Sequence, residues 1–271
     1  MIGVDLSLNK PRKVAFIIAA TEQGTYLVNR FDFKSTDEVT YGVGHELLEE
    51  AAREPGEVYC AVALLESRRD YFGPGVVGID CGANIGIHTV SWARNMTGWG
   101  SVIAIEAQER IFYALCGNIT INNVFNARAV HAAVANEVGR MRIPVPDYLS
   151  PASFGSLELR PATNEDIGQN IDYSDASGME VATITVDSMK LPRVDLIKID
   201  VEGMELEVLA GARETLMRSK PCLLIERLKT DETALVQILS AHDYRIFPMG
   251  INVIAVHASD RVAEHLNLGE G

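Results

Sequence analysis

Val76-Val77-Gly78-Ile79-Asp80-Cys81-Gly82-Ala83-Asn84-Ile85-Gly86 is the stretch that decides the fold. A short apolar run ends in an acid, a glycine-rich turn follows, and helical character begins near Ile87. Apolar runs of this length, bounded by turns and alternating with helices, are the pattern of buried parallel strands. Glycine at 82 and 86 lets the backbone adopt conformations and approach a ligand in ways that a side chain forbids. The helix start offers free N–H groups to a carboxylate, and Asp80 can accept from an ammonium group. A ligand end that carries both groups suits this turn, although an ordinary tight strand–helix connection is the plainer reading. The spacing is D-x-G-x-N-x-G, not GxGxxG, and the acid inside the turn would repel a pyrophosphate. A nicotinamide-dependent oxidoreductase is therefore the weaker fit.

Working outward, Ser101–Glu106 repeats the motif of an apolar run ending in an acid. Glu106 stands where an acid in nucleotide-binding sheets accepts hydrogen bonds from ribose hydroxyls. Asp195-Leu196-Ile197-Lys198-Ile199-Asp200-Val201-Glu202-Gly203 is a third such run. Asp200 ends it at the carboxyl edge of the sheet, where open α/β sheets bind ligands. Asp200 and Glu202 could orient an acceptor hydroxyl and take its proton. They could equally hold a divalent cation that acidifies that hydroxyl, or simply favour a helix N-terminus. Glu226 closes the run Cys222–Glu226 on the same edge.

Helices are expected over Ile87–Arg94, Ile111–Asn122, Met204–Arg218 and Asp231–His242, with further strands over Ala129–Val134, Met141–Val145 and Val181–Val186. Arg245–Pro248 and Asn252–Val256 read as a closing antiparallel pair. The series is that of a doubly wound α/β fold, a mostly parallel sheet with an antiparallel terminal strand. Residues 1–70 read as an N-terminal α+β extension, with strands Val14–Ala20 and Thr25–Phe33 and a helix His45–Arg53. They could serve as a cap over an acceptor or as the interface of a homo-oligomer. The expected organisation is an extension (1–70), a main domain (71–260) carrying a loop or lid (146–180), and a tail (261–271). The lid is rich in Ser, Pro, Asn, Asp and Gly, and loops of that length are more often functional than idle.

The combination of Asp80-Cys81-Gly82-Ala83-Asn84-Ile85-Gly86, Glu106, Asn118, Asn123, Val186-Asp187-Ser188-Met189 and Lys198-Ile199-Asp200-Val201-Glu202-Gly203 resembles the FkbM-type methyltransferases. Glu205, Leu209, Gly211, Pro221 and Glu226 are also similar to that pattern, and the resemblance spans about residues 70–256. It implies a class I methyltransferase (Rossmann-like) fold that uses S-adenosylmethionine, usually to methylate a hydroxyl of a sugar, glycan or natural product. By that resemblance Asp80, Gly82, Asn84 and Gly86 line the methionine end of the cofactor and Glu106 its ribose, while Asp200 and Glu202 face the acceptor. The chain departs from the family after Glu106, where Ala107-Gln108 stands in place of the usual proline.

His88, just inside the helix after the glycine turn, is a further candidate base; a packed histidine is the plainer reading, as it is for His131. Trp92 and Trp99 read as packing. No GxSxG elbow, P-loop or (Asp/Asn)-Pro-Pro-aromatic tetrapeptide is present, and the absence of the last favours oxygen over nitrogen as the methyl acceptor. A non-catalytic binding module on the same fold would be expected to lose the acids at 80, 106 or 200, and all three are present. The net charge of −13 opposes a nucleic-acid footprint. The four cysteines form no CxxC pair and no zinc spacing, which points to free thiols in a reducing, cytoplasmic setting. No apolar run approaches the ~20 residues of a membrane span.

Overall fold

The computed structural model describes residues 12–264 except 162, 164 and 175. The start of the expected extension (1–11) and most of the expected tail (265–271) lie outside them. Fourteen strands and seven α-helices are found among the described residues. The N-terminal part holds β1 (Phe16–Thr21), β2 (Gly24–Asn29), β3 (Lys34–Ser35), β4 (Thr40–Tyr41), α1 (Val43–Glu49) and α2 (Pro55–Phe72). Then come β5 (Val76–Cys81), α3 (Ile87–Asn95), β6 (Gly100–Glu106), α4 (Glu109–Ile121), β7 (Ala127–His131), β8 (Ala133–Val134), β9 (Gly139–Ile143) and β10 (Met179–Ile184). The chain continues through β11 (Leu196–Ile199), α5 (Glu205–Ala210), α6 (Arg213–Ser219), β12 (Cys222–Glu226), α7 (Glu232–Ala241), β13 (Tyr244–Met249) and β14 (Asn252–His257).

The central sheet has seven strands in the order β13-β14-β12-β11-β5-β6-β7. Five run parallel, and β14 is inserted antiparallel between β12 and β13. The fold is therefore doubly wound α/β. Alternate residues along each strand feed two separate cores. Leu196, Leu224 and Ile254 face the layer of α2, α3 and α4, with Leu65, Trp92 and Ile111. Ile197, Ile199, Leu223 and Ile225 face α5, α6 and α7, with Val208, Leu216 and Leu235. The inner strands β11, β12 and β14 are covered on both sides, which is why their sequences read as continuous apolar runs.

Two expected elements are divided in space, and one expected boundary runs through a continuous helix. Ala129–Val134 breaks after His131, and β8 leaves for a second sheet of order β8-β10-β9. The expected helix Met204–Arg218 is two helices, interrupted at Gly211 and Ala212, and Asp187 accepts from Glu214 N (2.9 Å) and Thr215 N (2.8 Å) at the start of the second. The expected division at residue 70 falls inside α2, which packs on the same face of the sheet as α3. All four cysteines are free, with Cys81 and Cys222 buried. No described helix is long and apolar enough to cross a membrane.

The N-terminal hairpin is tied to this sheet by side-chain amides. Asn118 accepts from Leu27 N (2.6 Å) and donates to Ile85 O (2.8 Å). Asn122 accepts from Thr25 N (3.0 Å). The long loop after β9 is clamped in turn to the hairpin region. Asp32 accepts from Phe154 N (2.9 Å), and Ala152 N donates to Phe31 O (3.1 Å). These contacts bring residues 41–57 and 153–159 over the carboxyl ends of β5, β6 and β11.

Candidate active site

A cavity of about 360 Å³ opens at those strand ends, a size suited to a small-molecule ligand. On one side it is lined by Asp80, Gly82, Ala83, Asn84 and Glu106, and on the other by Lys198, Asp200, Glu202 and Glu226. Gly86 is not part of the lining. It caps α3 with φ 93°, and a Cβ there would meet Leu115 at 2.6 Å. Gly82 has φ 78°, and its missing Cβ makes room for the Asp200 carbonyl. Both glycines are thus required by close packing within the protein, and Gly82 also lines the cavity.

Asp80 is buried at the end of β5. Its Oδ2 accepts from Thr89 Oγ1 at 2.6 Å, while its Oδ1 has no hydrogen-bond partner. A buried carboxylate oxygen left unpaired is costly unless something meets it. Asn84 adopts the left-handed region, φ 49°, which Asn tolerates better than most residues. There its Oδ1 accepts from Ile85 N (2.7 Å), and its own N–H reaches Glu106 Oε2 at 2.9 Å. Glu106 Oε1 accepts from Gln108 N at 2.8 Å. Burial pushes the Glu106 carboxyl up to about 7, against the N–H groups of Gln108, Asn84 and Ala107 that draw it down. Each oxygen keeps a lone pair for a further donor.

Gln108 stands where the family usually has proline, or next to it, and it has a structural task. Its side chain donates to Phe154 O (2.9 Å) and accepts from Tyr148 OH (3.0 Å). The departure from the family pattern therefore anchors the loop that roofs the cavity.

Across the cavity, Glu205 organises the turn after β11. Its Oε1 accepts from Val201 N (3.2 Å) and Gly203 N (3.1 Å), and its Oε2 accepts from Thr230 Oγ1 (2.7 Å). The turn places Glu202 at φ 55° and Gly203 at φ 97°, a strained arrangement of the sort that gathers at functional sites. Asp200, Glu202 and Glu226 each bring an oxygen within 4.8 Å of the others. Lys198 Nζ lies 2.6 Å from Asp200 Oδ2. Lys229 pairs with Glu202 and with Glu165 and donates to Ser156 O (2.9 Å), joining the turn to the roof. Burial, then Asp200, push Glu202 up to about 8, with Lys229 opposing. Burial, then Asp200 and Glu202, push Glu226 up to about 9.

The sequence missed most of the wall contributed from upstream. Arg53, Glu54 and Glu57 line the cavity at the start of α2. His88 is buried, and its Nε2 lies 3.3 Å from Glu57 Oε1 and 3.8 Å from Glu54 Oε2. Burial alone would raise the Glu54 carboxyl, but His88, Arg53 and Lys198 outweigh it and hold the group at about 2. Lys198 was legible as a lone charge inside an apolar strand. It points to the α2 face, as its alternation with Ile197 and Ile199 requires. His131 stacks on Phe112 outside the site, and Trp92 is core.

The methyltransferase FkbM domain model matches residues 80–246. The chain belongs to the FkbM methyltransferase family. The match takes in the strand-end acids Asp80, Glu106, Asp200, Glu202 and Glu226 described above. Among solved structures it is similar to a methyltransferase FkbM from Methylobacillus flagellatus KT, at 19% identity and TM-score 0.46, covering 73% of this chain and 51% of that one. This FkbM-family chain thus spans about half the length of that relative. It is also similar to a precorrin-6y C5,15-methyltransferase from Geobacter metallireducens GS-15 (14%, TM-score 0.41, 73% and 85% covered). A third is TYW2 of M. jannaschii in complex with AdoMet (14%, TM-score 0.40, 90% and 86% covered). No curated protein matches the chain.

Proposed function

We propose that this FkbM-family protein transfers the methyl group of S-adenosylmethionine to a hydroxyl oxygen of a sugar, glycan or natural product. The observation that carries the reading is one cavity with two rows of acids. Asp80, with its unpaired buried oxygen, and Glu106 form one row, and Asp200, Glu202 and Glu226 form the other. The first row fits the cofactor. Asp80 Oδ1 would meet its ammonium group, Glu106 the ribose hydroxyls, and Asn84 holds Glu106 in place. Ala107, Gln108 and Ala132–Val134 line the space beyond.

When bound, the cofactor supplies a methyl group on a sulfonium, already an excellent leaving group. The protein's part is alignment and proton removal. A sugar hydroxyl is a weak acid. A carboxyl raised towards 8 or 9 binds a proton more tightly than an ordinary carboxylate, so its ionised form is a stronger base. Glu202 and Glu226 have that property, and Asp200 orients the acceptor. Lys198 and Lys229 each occupy an oxygen of this cluster and supply the positive charge that a divalent ion would otherwise bring. The His88 Nε2 faces Glu54 and Glu57, which makes it the weaker candidate for base. The position of residues 41–57 supports an acceptor cap over an oligomer interface. The acid-rich lining and the net charge of −13 support a small polyhydroxylated acceptor over a nucleic acid.

Calorimetric titration with S-adenosylmethionine, S-adenosylhomocysteine and NAD tests the reading. Saturable binding of the two sulfur ligands and not NAD is expected, followed by methyl incorporation in a screen of hydroxylated acceptors. A folded sample that binds neither sulfur ligand would overturn it in favour of a non-catalytic module.

A further inference from the structure

The start of α2 and the start of α3 bring together a second cluster that methyl transfer does not use. Glu54 Oε2, Glu57 Oε1 and an imidazole nitrogen of His88 all lie within 4.8 Å of one another. The other oxygen of each carboxylate is engaged from behind. Arg53 holds Glu54 Oε1 at 2.8 Å, and Asn252 Nδ2 donates to Glu57 Oε2 at 2.6 Å. Both carboxylates are thereby oriented with their remaining oxygen toward His88 Nε2, as outer partners orient metal ligands.

His88 is 5% exposed, and neither ring nitrogen makes a hydrogen bond. An imidazolium held by two carboxylates would be expected to align an N–H with one of them, and here the approach of 3.3 and 3.8 Å lacks that alignment. Two ligands bound to one ion at 2.0–2.2 Å in tetrahedral geometry stand about 3.4 Å apart, and His88 Nε2 stands 3.3 Å from Glu57 and 3.8 Å from Glu54. With His88 as a neutral ligand, Glu54 and Glu57 have one directly paired cation, Arg53, whereas the acceptor acids already carry Lys198 and Lys229.

We propose that Glu54, Glu57 and His88 form a binding site for one divalent transition ion, of the Zn²⁺ or Mn²⁺ class. One imidazole with two carboxylates suits these ions better than Mg²⁺ or Ca²⁺, which prefer oxygen alone. All three residues line the cavity, so the remaining coordination positions open toward it and take water or, on the reading above, an acceptor oxygen.

The test uses the full chain stripped with chelator and titrated with Zn²⁺ and Mn²⁺. One equivalent is expected to bind, with affinity reduced at least tenfold in both His88→Gln and Glu57→Gln and unchanged in Glu226→Gln. Pulsed EPR of the Mn²⁺-loaded wild type should show coupling to an imidazole nitrogen, which needs no variant to fold. Absence of binding, binding that survives both substitutions, or loss confined to Glu226→Gln would overturn the site. S-adenosylhomocysteine titrated into the same samples keeps the two readings apart, because it does not depend on the ion.

Discussion

Gly82 and Asp200 meet backbone to backbone: a Cβ on Gly82 would stand 1.7 Å from the Asp200 carbonyl oxygen. This contact joins the end of β5 to the end of β11, and so joins the cofactor row of acids to the acceptor row. Gly82→Ala would add both this clash and a left-handed alanine, which alone costs about 1–2 kcal/mol. The melting temperature should fall by several degrees, and S-adenosylhomocysteine should bind at least tenfold more weakly. An unchanged melting curve with full binding would show that the two rows are not coupled in this way.

Asp80 and Glu202 should separate binding from turnover. A hydrogen bond to a charged group contributes about 1.5–3 kcal/mol, so Asp80→Ala should weaken cofactor binding roughly 10- to 100-fold by calorimetry. Glu202→Ala should leave that affinity within a few-fold and lower the methylation rate by about 10²–10⁴. If Glu202→Ala abolishes binding while Asp80→Ala spares it, the two rows have been assigned in reverse.

The raised acids predict a pH dependence with a definite sign. Glu202 and Glu226 sit at about 8 and about 9 when folded, above their unfolded value. The native state therefore holds protons that the unfolded chain releases. The stability they contribute is complete below the unfolded value, near 4.5, and is lost as pH rises through 8 and 9. Thermal unfolding from pH 6 to 9.5 should show a falling melting temperature, and Glu226→Gln should flatten that fall. Turnover should move the opposite way, rising toward pH 9 as the base ionises. A wild-type melting temperature that climbs across this range would contradict the assignment.

The opposite edge of the sheet carries an ionic knot with no part in the chemistry. Asp195 is fully buried and takes Arg68 Nε (3.1 Å), Arg193 Nε (2.8 Å) and Val77 N (2.9 Å), while Arg68 also pairs with Asp260. Breaking such a pair leaves a buried charge without its partner and costs about 3–5 kcal/mol. Asp195→Ala should therefore lower stability by that amount in denaturant titration. The melting temperature of Arg68→Met combined with Asp195→Leu and Asp260→Leu should recover part of the loss, since no buried carboxylate is then left without a partner and Arg193 keeps the carbonyls of Phe72, Gly73 and Pro74.

The central sheet was legible because burial on both faces forces continuous apolar runs, and Asp80, Glu106 and Asp200 end three of them. The turn at Asn84 was legible too, since few other residues accept its backbone while bonding their own neighbour. Other parts were hidden for equally physical reasons. Glu54 and Glu57 look like ordinary solvated acids at a helix start until α2 is laid on the sheet beside His88. Gln108 reads as a missing proline until Phe154 and Tyr148 arrive from the roof. The helix break after Ala210 is completed by Asp187, which is distant in the chain and invisible to any local pattern.

Periodicity and residue type thus determined the doubly wound sheet, the order of its motifs and the acids at its strand ends, because those follow from which side chains tolerate burial and which turns tolerate which residues. Tertiary structure alone decided that residues 41–57 wall the cavity, that Lys198 and Lys229 neutralise the acceptor acids, and that Glu54, Glu57 and His88 converge. These depend on contacts between segments far apart in sequence, and a local pattern carries no information about where a distant charge will come to rest.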